Sequence, residues 1–189
     1  MPFPLVTTLH APRVALRPVR PEDLPALLEV NGDAEATRYL PYAPWQTLDD
    51  ATAWLGRMNA LAALGTAQQL VLARHGDGQA IGTLLFFMYN EGSRRIELGY
   101  VLGRPHWGQG LMGEAIAAAC SHAFGAGIRR IEAEVNPANL ASCRLLVRAG
   151  FTLEGTLRQR WVDHGAAHDT NMYGCLAHEW RAGAGPGGI

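Results

Sequence analysis

At residues 104–115 the chain reads R-P-H-W-G-Q-G-L-M-G-E-A, placing Gly108, Gly110 and Gly113 where an apolar helical periodicity begins. Each glycine costs a helix interior about 1 kcal/mol relative to alanine. Three at one helix start mean either a packing turn or a backbone that something must approach closely. The first N–H groups of a helix lack internal partners, and the helix dipole favours negative charge there. Glycines remove the side chains that would hold a phosphate away from those amides. The segment is not a G-x-x-x-x-G-K-[ST] loop, because Leu111 and Met112 follow Gly110. Nor is it a dinucleotide fingerprint, which needs an acidic ribose-binding residue further on and an N-terminal strand before it.

The residues on either side supply a strand before the glycines and a helix after them. Residues 94–102 alternate as a strand, and Leu111, Met112, Ala115, Ile116, Ala119 and Phe124 form a helical stripe ending near Gly125 and Gly127. Upstream, 13–20 reads as a strand and Pro21-Glu22-Asp23 opens a helix with its stripe at Leu24, Leu27 and Leu28. After an irregular aromatic segment, Thr47 is placed to cap a second helix that runs to Gly65. Strands at 69–74 and 80–89 follow, joined at His75-Gly76-Asp77-Gly78, and these pair with 94–102 as an antiparallel meander. Downstream come a strand at 129–136, a helix at 139–149 capped by Asn139 and closed by Gly150, and strands at 156–162 and 168–175. This order, β-α-α-β-β-β-α-β-α-β-β, predicts one α+β domain over residues 1–181 with a mixed, mostly antiparallel sheet of six to seven strands and about four helices. The Gly-rich end, 182–189, reads as a flexible tail.

Composition excludes several classes. The 189 residues carry a net charge of −1, so no basic field points to nucleic acid. No apolar run is long enough for a membrane span, and the N-terminus lacks a signal peptide's basic start, which predicts a cytoplasmic protein. Cys120, Cys143 and Cys175 are widely spaced and read as core filler rather than a disulfide framework. The seven histidines form no H-x-x-x-H pattern, so no metal is expected.

A second strand-to-helix unit, N-P-A-N-L-A-S-C-R-L-L-V-R-A-G-F at 136–151, follows L-G-Y-V-L-G-R-P-H-W-G-Q-G-L-M-G-E-A at 98–115. Two such motifs in this order resemble the GNAT superfamily of acetyl-CoA-dependent N-acetyltransferases, in particular its RimJ/RimL-type branch. The likeness extends from R-V-A-L-R-P to L-A-H-E-W, nearly the whole chain. It implies the GNAT fold, splayed between the fourth and fifth strands. It also implies a pyrophosphate loop of backbone amides over Trp107, Gly108, Gln109, Gly110, Leu111, Met112 and Gly113. In the family pattern Q/R-x-x-G-x-G/A, Trp107 takes the first position, Gly110 the second and Met112 the last. Met112 departs from the small residue there, and its N–H serves if its side chain points into the core. Pantetheine is then expected to pair with the backbone near Leu102 and to bond Asn139, with Ser142 near the sulfur.

The implied reaction is direct attack of a neutral amine on the acetyl thioester. Many family members protonate the leaving thiolate with a tyrosine seven residues after the capping asparagine, but that position here is Leu146. Ser142 is the natural substitute, the alternative being a serine that only caps a backbone group. For a base, Glu97 ranks ahead of Glu134; an unpaired carboxylate in an apolar strand is costly, so a structural pairing with Arg95 or Arg17 competes with catalysis. Tyr39, Trp45 and Trp161 are candidate acceptor-site walls, along with Tyr42, Arg160, Asp163, His164, His168 and Asp169. The acceptor is expected to be a protein α-amine, as in a ribosomal protein, or else a small amine such as an amino acid, polyamine or antibiotic. A non-catalytic CoA-binding sensor is the rival class. A homodimer accords with the family.

Overall fold

The computed structural model describes residues 3–163 and 166–181. The expected tail at 182–189 and the turn at His164 and Gly165 therefore lie outside the described residues. Eight strands form one sheet: β1 (Leu9–His10), β2 (Val14–Pro18), β3 (Gln68–Arg74), β4 (Ala80–Asn90), β5 (Arg95–Leu102), β6 (Arg130–Val135), β7 (Thr152–Asp163) and β8 (Ala166–Leu176). The helices are α1 (Leu24–Gly32), α2 (Leu48–Ala63), α3 (Leu111–Gly125) and α4 (Leu140–Arg148). Strand order is β1-β2-β3-β4-β5-β6-β8-β7, and β5 with β6 is the parallel pair.

The local signals act as their chemistry requires. Thr47 caps α2 by accepting from Asp50 N–H, and the Asp50 carboxylate accepts from Thr47 N–H in return. Pro21–Asp23 forms a 3-10 turn rather than the first turn of α1, because buried Asp23 turns back to take Arg17 at 2.7 and 2.8 Å. Gly150, at φ +92°, ends α4 in the left-handed region, and Phe151 N–H donates back to Leu146 C=O. The chain enters β7 at once, four residues earlier than the sequence pattern marks. The two-residue β1 escapes periodicity altogether because it is too short to alternate.

Two cores sandwich the sheet. Ile96, Leu98, Ile116, Ala119, Ile131, Ala133 and Leu146 belong to the larger, under α3 and α4. Leu24, Leu27, Trp45, Ala51, Trp54 and Val71 form the other, under α1 and α2. Successive strand residues face opposite layers. Glu97 of β5 and Glu132 and Glu134 of β6 therefore face the α1–α2 side.

Candidate active site

Pairing between β5 and β6 covers three positions, Arg95 with Arg130, Ile96 with Ile131 and Glu97 with Glu132. Beyond them β5 runs on to Leu102 beside β4 alone, while β6 continues to Val135 beside β8. The sheet thus opens between its fourth and fifth long strands, and the opening starts at Glu97.

The glycine segment lies at the far end of β5. Gly108 and Gly110 adopt φ +71° and +79°, a region that disfavours side chains. Gly110 is the N-cap of α3, and no side chain caps that end. The N–H groups of Leu111, Met112 and Gly113 are the first of the helix. Glu114 N–H is already held by Gly110 C=O at 3.2 Å. A Cβ on Gly108 would meet nothing within 4 Å, so its surroundings are open to an approaching group. The Leu111 and Met112 side chains are buried, so these residues offer only backbone. Gly113 differs: a Cβ there would touch Leu145 at 3.6 Å, on the α4 side. Trp107 donates its indole N–H to Leu102 C=O at 2.7 Å and so fastens the loop to the end of β5. Gln109 donates to Pro105 C=O at 2.9 Å.

Arg13, just before β2, reaches this loop from 96 residues away. It donates to Gln109 C=O at 2.7 Å and to Glu114 Oε1 at 2.7 Å, and its own N–H donates to Glu114 Oε2. Residue spacing carries no signal for a contact across such a separation.

On the α4 side of the opening, Asn139 Oδ1 accepts from Ser142 N–H at 3.1 Å and caps the helix. The Ser142 hydroxyl takes no part in that cap. It lies 2.6 Å from the Tyr100 hydroxyl. Burial pushes the Tyr100 phenol above its ordinary range. Tyr100 is a group the sequence reading passed over, since period two places it with Leu98 on the core-facing side.

The other face holds the carboxylates. Glu132 is held by Arg95 and by Arg130, the latter at 2.7 Å. Glu134 accepts from Arg160 at 3.0 Å and from the Trp161 indole N–H at 2.7 Å. Arg17 belongs to Asp23. Both arginines that might neutralise Glu97 thus have other partners, and Glu97 makes no ion pair with a described residue. Burial, then the charges of Glu134 and Glu132, push its carboxyl up to about 7.

The candidate walls separate in space. Tyr39 donates to Ala138 C=O at 3.3 Å, and Asp33 takes Arg104 at 2.5 Å. The segment between α1 and α2 is thereby tied to both strand ends of the opening. Trp45 is 8% exposed and packs against Trp54 with tilted rings 5.1 Å apart, so it anchors this segment from the core instead of lining a surface. Tyr42 differs, since its side chain stays exposed while its hydroxyl donates to buried Asn31 Oδ1 at 2.8 Å. On the other side a bulge at Gln159, φ +52°, bends β7 so that Arg160 and Trp161 reach Glu134. Asp169 holds that bulge by accepting from Gln159 N–H. Among the described residues no group of three or more His, Cys, Asp or Glu is placed to hold a metal ion, and no helix is long and apolar enough to cross a membrane.

Comparison with known proteins accords with this geometry. A family model described as an acetyltransferase (GNAT) domain matches residues 13–152. The uncharacterized N-acetyltransferase p20 of Bacillus licheniformis is 33% identical over 174 residues, covering 92% of this chain and 98% of that protein. The ribosomal-protein-serine acetyltransferase of Escherichia coli is 32% identical over 98 residues, about half of each chain (51% and 55%). RimJ of Mycobacterium smegmatis, solved in complex with CoA-disulfide, superposes with a TM-score of 0.87 at 25% identity, covering 97% of this chain and 94% of that one. With an uncapped glycine helix start at one end of an opened sheet, and a family model spanning most of its length, this chain belongs to the GNAT family of N-acetyltransferases.

Proposed function

We propose that this N-acetyltransferase moves the acetyl group of acetyl-CoA to the α-amine of a protein N-terminus, by direct attack in a ternary complex. The observation that carries the reading is the Glu97 carboxyl, pushed up to about 7 where β5 and β6 part. An α-ammonium ionises near 8 and a lysine near 10.4. At neutral pH the neutral form that attacks is disfavoured by about one unit for the first and more than three for the second, before any proton passes to Glu97. At about 1.4 kcal/mol per unit, the α-amine is the better matched acceptor by roughly 3 kcal/mol. The same matching argues against polyamines, whose amines lie near lysine. The relatives that act on ribosomal proteins support the same class of acceptor.

The loop amides of Gly108 to Gly113 would take the pyrophosphate, and Asn139, with its Nδ2 donor unused by the cap, would hold pantetheine beside Leu102. Glu97 accepts the proton that the amine loses as nitrogen bonds to the carbonyl carbon. The electron pair of the breaking C–S bond leaves on sulfur, on the Ser142 side of the opening. Tyr39 and Trp161 stand on opposite walls of the acceptor approach. The test is calorimetric titration with acetyl-CoA, followed by turnover of peptides with free and blocked N-termini. Micromolar affinity and acetylation of the free termini alone are expected; turnover only of small amines or lysine side chains would refute the acceptor assignment. Binding without turnover of any amine would make the chain a CoA sensor.

Arg13 gives this reading a second handle. It fixes the Gln109 carbonyl and offsets the carboxylate of Glu114 in the first turn of α3, which would otherwise repel a phosphate. Arg13→Ala is expected to raise the KM for acetyl-CoA by about tenfold, in the range of one lost charge-assisted bond. With kcat nearly unchanged, this marks lost binding common to ground and transition states. A fall in kcat at constant KM would show that Arg13 acts elsewhere.

A further inference from the structure

The hydroxyl pair formed by Ser142 and Tyr100 has no counterpart in the tyrosine position that Leu146 leaves empty of a phenol. Leu146 is fully buried in the core and carries no hydrogen-bond donor. Instead a phenol arrives from the sheet. Tyr100 is on β5 past the last β5–β6 pair, and its oxygen lies 2.6 Å from Ser142 Oγ, short enough for a strong O–H···O bond. We propose that Tyr100 is a positioning residue whose hydroxyl donates to Ser142 Oγ, so that the Ser142 hydroxyl proton is aimed at the departing sulfur of CoA.

The direction of this chain follows from its members. A serine hydroxyl has one proton and can donate to either tyrosine or sulfur. If Tyr100 is the donor, the serine proton is released toward the gap and polarised by the bond behind it. Burial keeps the phenol protonated across the working pH range, so it always has a proton to donate. For the same reason it does not surrender that proton. A thiolate ionising near 8.5 cannot deprotonate a phenol that ionises above 10. As the C–S bond breaks, its electron pair goes to sulfur, and the thiolate is held by the Ser142 O–H···S bond. It then takes its proton from solvent. The pair thus stabilises charge on sulfur without a covalent or proton-transfer step of its own. Ser142 meets the substrate, and Tyr100 acts through it.

This inference rests on the acetyl-CoA reading, and its test needs no acceptor amine. CoA and desulfo-CoA are titrated calorimetrically from pH 6.5 to 9.5 into the wild type, Tyr100→Phe, Ser142→Ala and the double variant. The ratio of the two affinities isolates the sulfur. Cys143 on α4 and Tyr173 on β8 are the other titratable neighbours of Tyr100. Negative charge on either would repel a bound CoA thiolate and lower the ratio as pH rises, opposite in sign to the gain expected from the hydroxyl pair. A bound thiol whose pKa is lowered by one unit makes CoA gain about tenfold over desulfo-CoA as pH rises. That gain is expected in the wild type. It should shrink to under about threefold in each single variant, with the double variant no worse than Ser142→Ala alone. Phenylalanine keeps the ring, and desulfo-CoA affinity reports that the fold and loop are intact. A flat ratio in the wild type, an undiminished rise in Tyr100→Phe, or a loss in Tyr100→Phe that adds to that of Ser142→Ala would overturn the proposal. If neither ligand binds at any pH, the acetyl-CoA reading itself falls, and this one with it.

Discussion

Glu97→Gln is expected to lower turnover by a factor of roughly 10² to 10⁴, the range for loss of a positioned general base. Acetyl-CoA affinity should change little, because the glutamine keeps the shape of the side chain and lies far along β5 from the glycine loop. In the parent, kcat should rise as pH passes through about 7, where the Glu97 carboxyl ionises. The variant should lose that limb. A structural carboxylate makes the opposite stability prediction, which separates the two roles. The folded carboxyl titrates at about 7, raised from its ordinary 4.5. Between those values the folded state binds more protons than the unfolded chain, so stability falls as pH rises from 4.5 to beyond 7. Glutamine carries no such penalty. At pH 8 Glu97→Gln should therefore be more stable than the parent. The group is partly solvated, so the gain is discounted to about 1 kcal/mol, or a rise in Tm of roughly 2–4 °C. A thermal melt at pH 8 in which the variant is less stable would mark Glu97 as a structural partner.

The contrast between these acids shows where sequence reading stops. Period two correctly puts Glu132 and Glu134 on one face, but alternation within one strand says nothing of the strand beside it. Parallel register sets Glu97 next to Glu132, and so all three acids share that face. Which of them keeps a free carboxylate is decided by arginines brought in from elsewhere. Arg160 reaches Glu134 because of a bulge at Gln159, a non-glycine residue at positive φ that no turn signal announces. Elements with strong punctuation were legible: the Thr47 cap, the Asn139 cap and the left-handed Gly150 all fall where their side chains or lack of them require. Trp45 was misleading for a related reason. An aromatic in an irregular, proline-rich segment looks like a wall, yet its indole fits against Trp54 across α2, a contact set by how two helices pack on β3. Contacts between distant segments, such as Arg13 with the loop and Tyr100 with Ser142, exist only once the sheet is assembled.

Gly110→Val should reduce acetyl-CoA affinity at least a hundredfold, about 2.7 kcal/mol. Two costs combine. At φ +79° a β-branched residue is strained by more than a kilocalorie per mole. A Cβ there would also stand 3.4 Å from Arg13 Nη2, and the two methyls beyond it would crowd the guanidinium that pins Gln109. The amides of Leu111 to Gly113 then lose their common aim, and the valine methyls occupy the approach that glycine leaves clear. Gly113→Ala is the matched control. Gly113 is helical, and its missing Cβ faces Leu145 at an ordinary contact distance. Alanine there should keep cofactor affinity within about twofold and add up to about 1 kcal/mol of helix stability. If both substitutions weaken binding alike, the glycines act by keeping the helix start flexible, and the left-handed backbone at Gly108 and Gly110 is not what the phosphates use. If only Gly110→Val does, backbone conformation at the N-cap is what makes R-P-H-W-G-Q-G-L-M-G-E-A an anion site. The third glycine then answers to α4, which explains why a segment devoted to one ligand contains a glycine whose open side faces away from it.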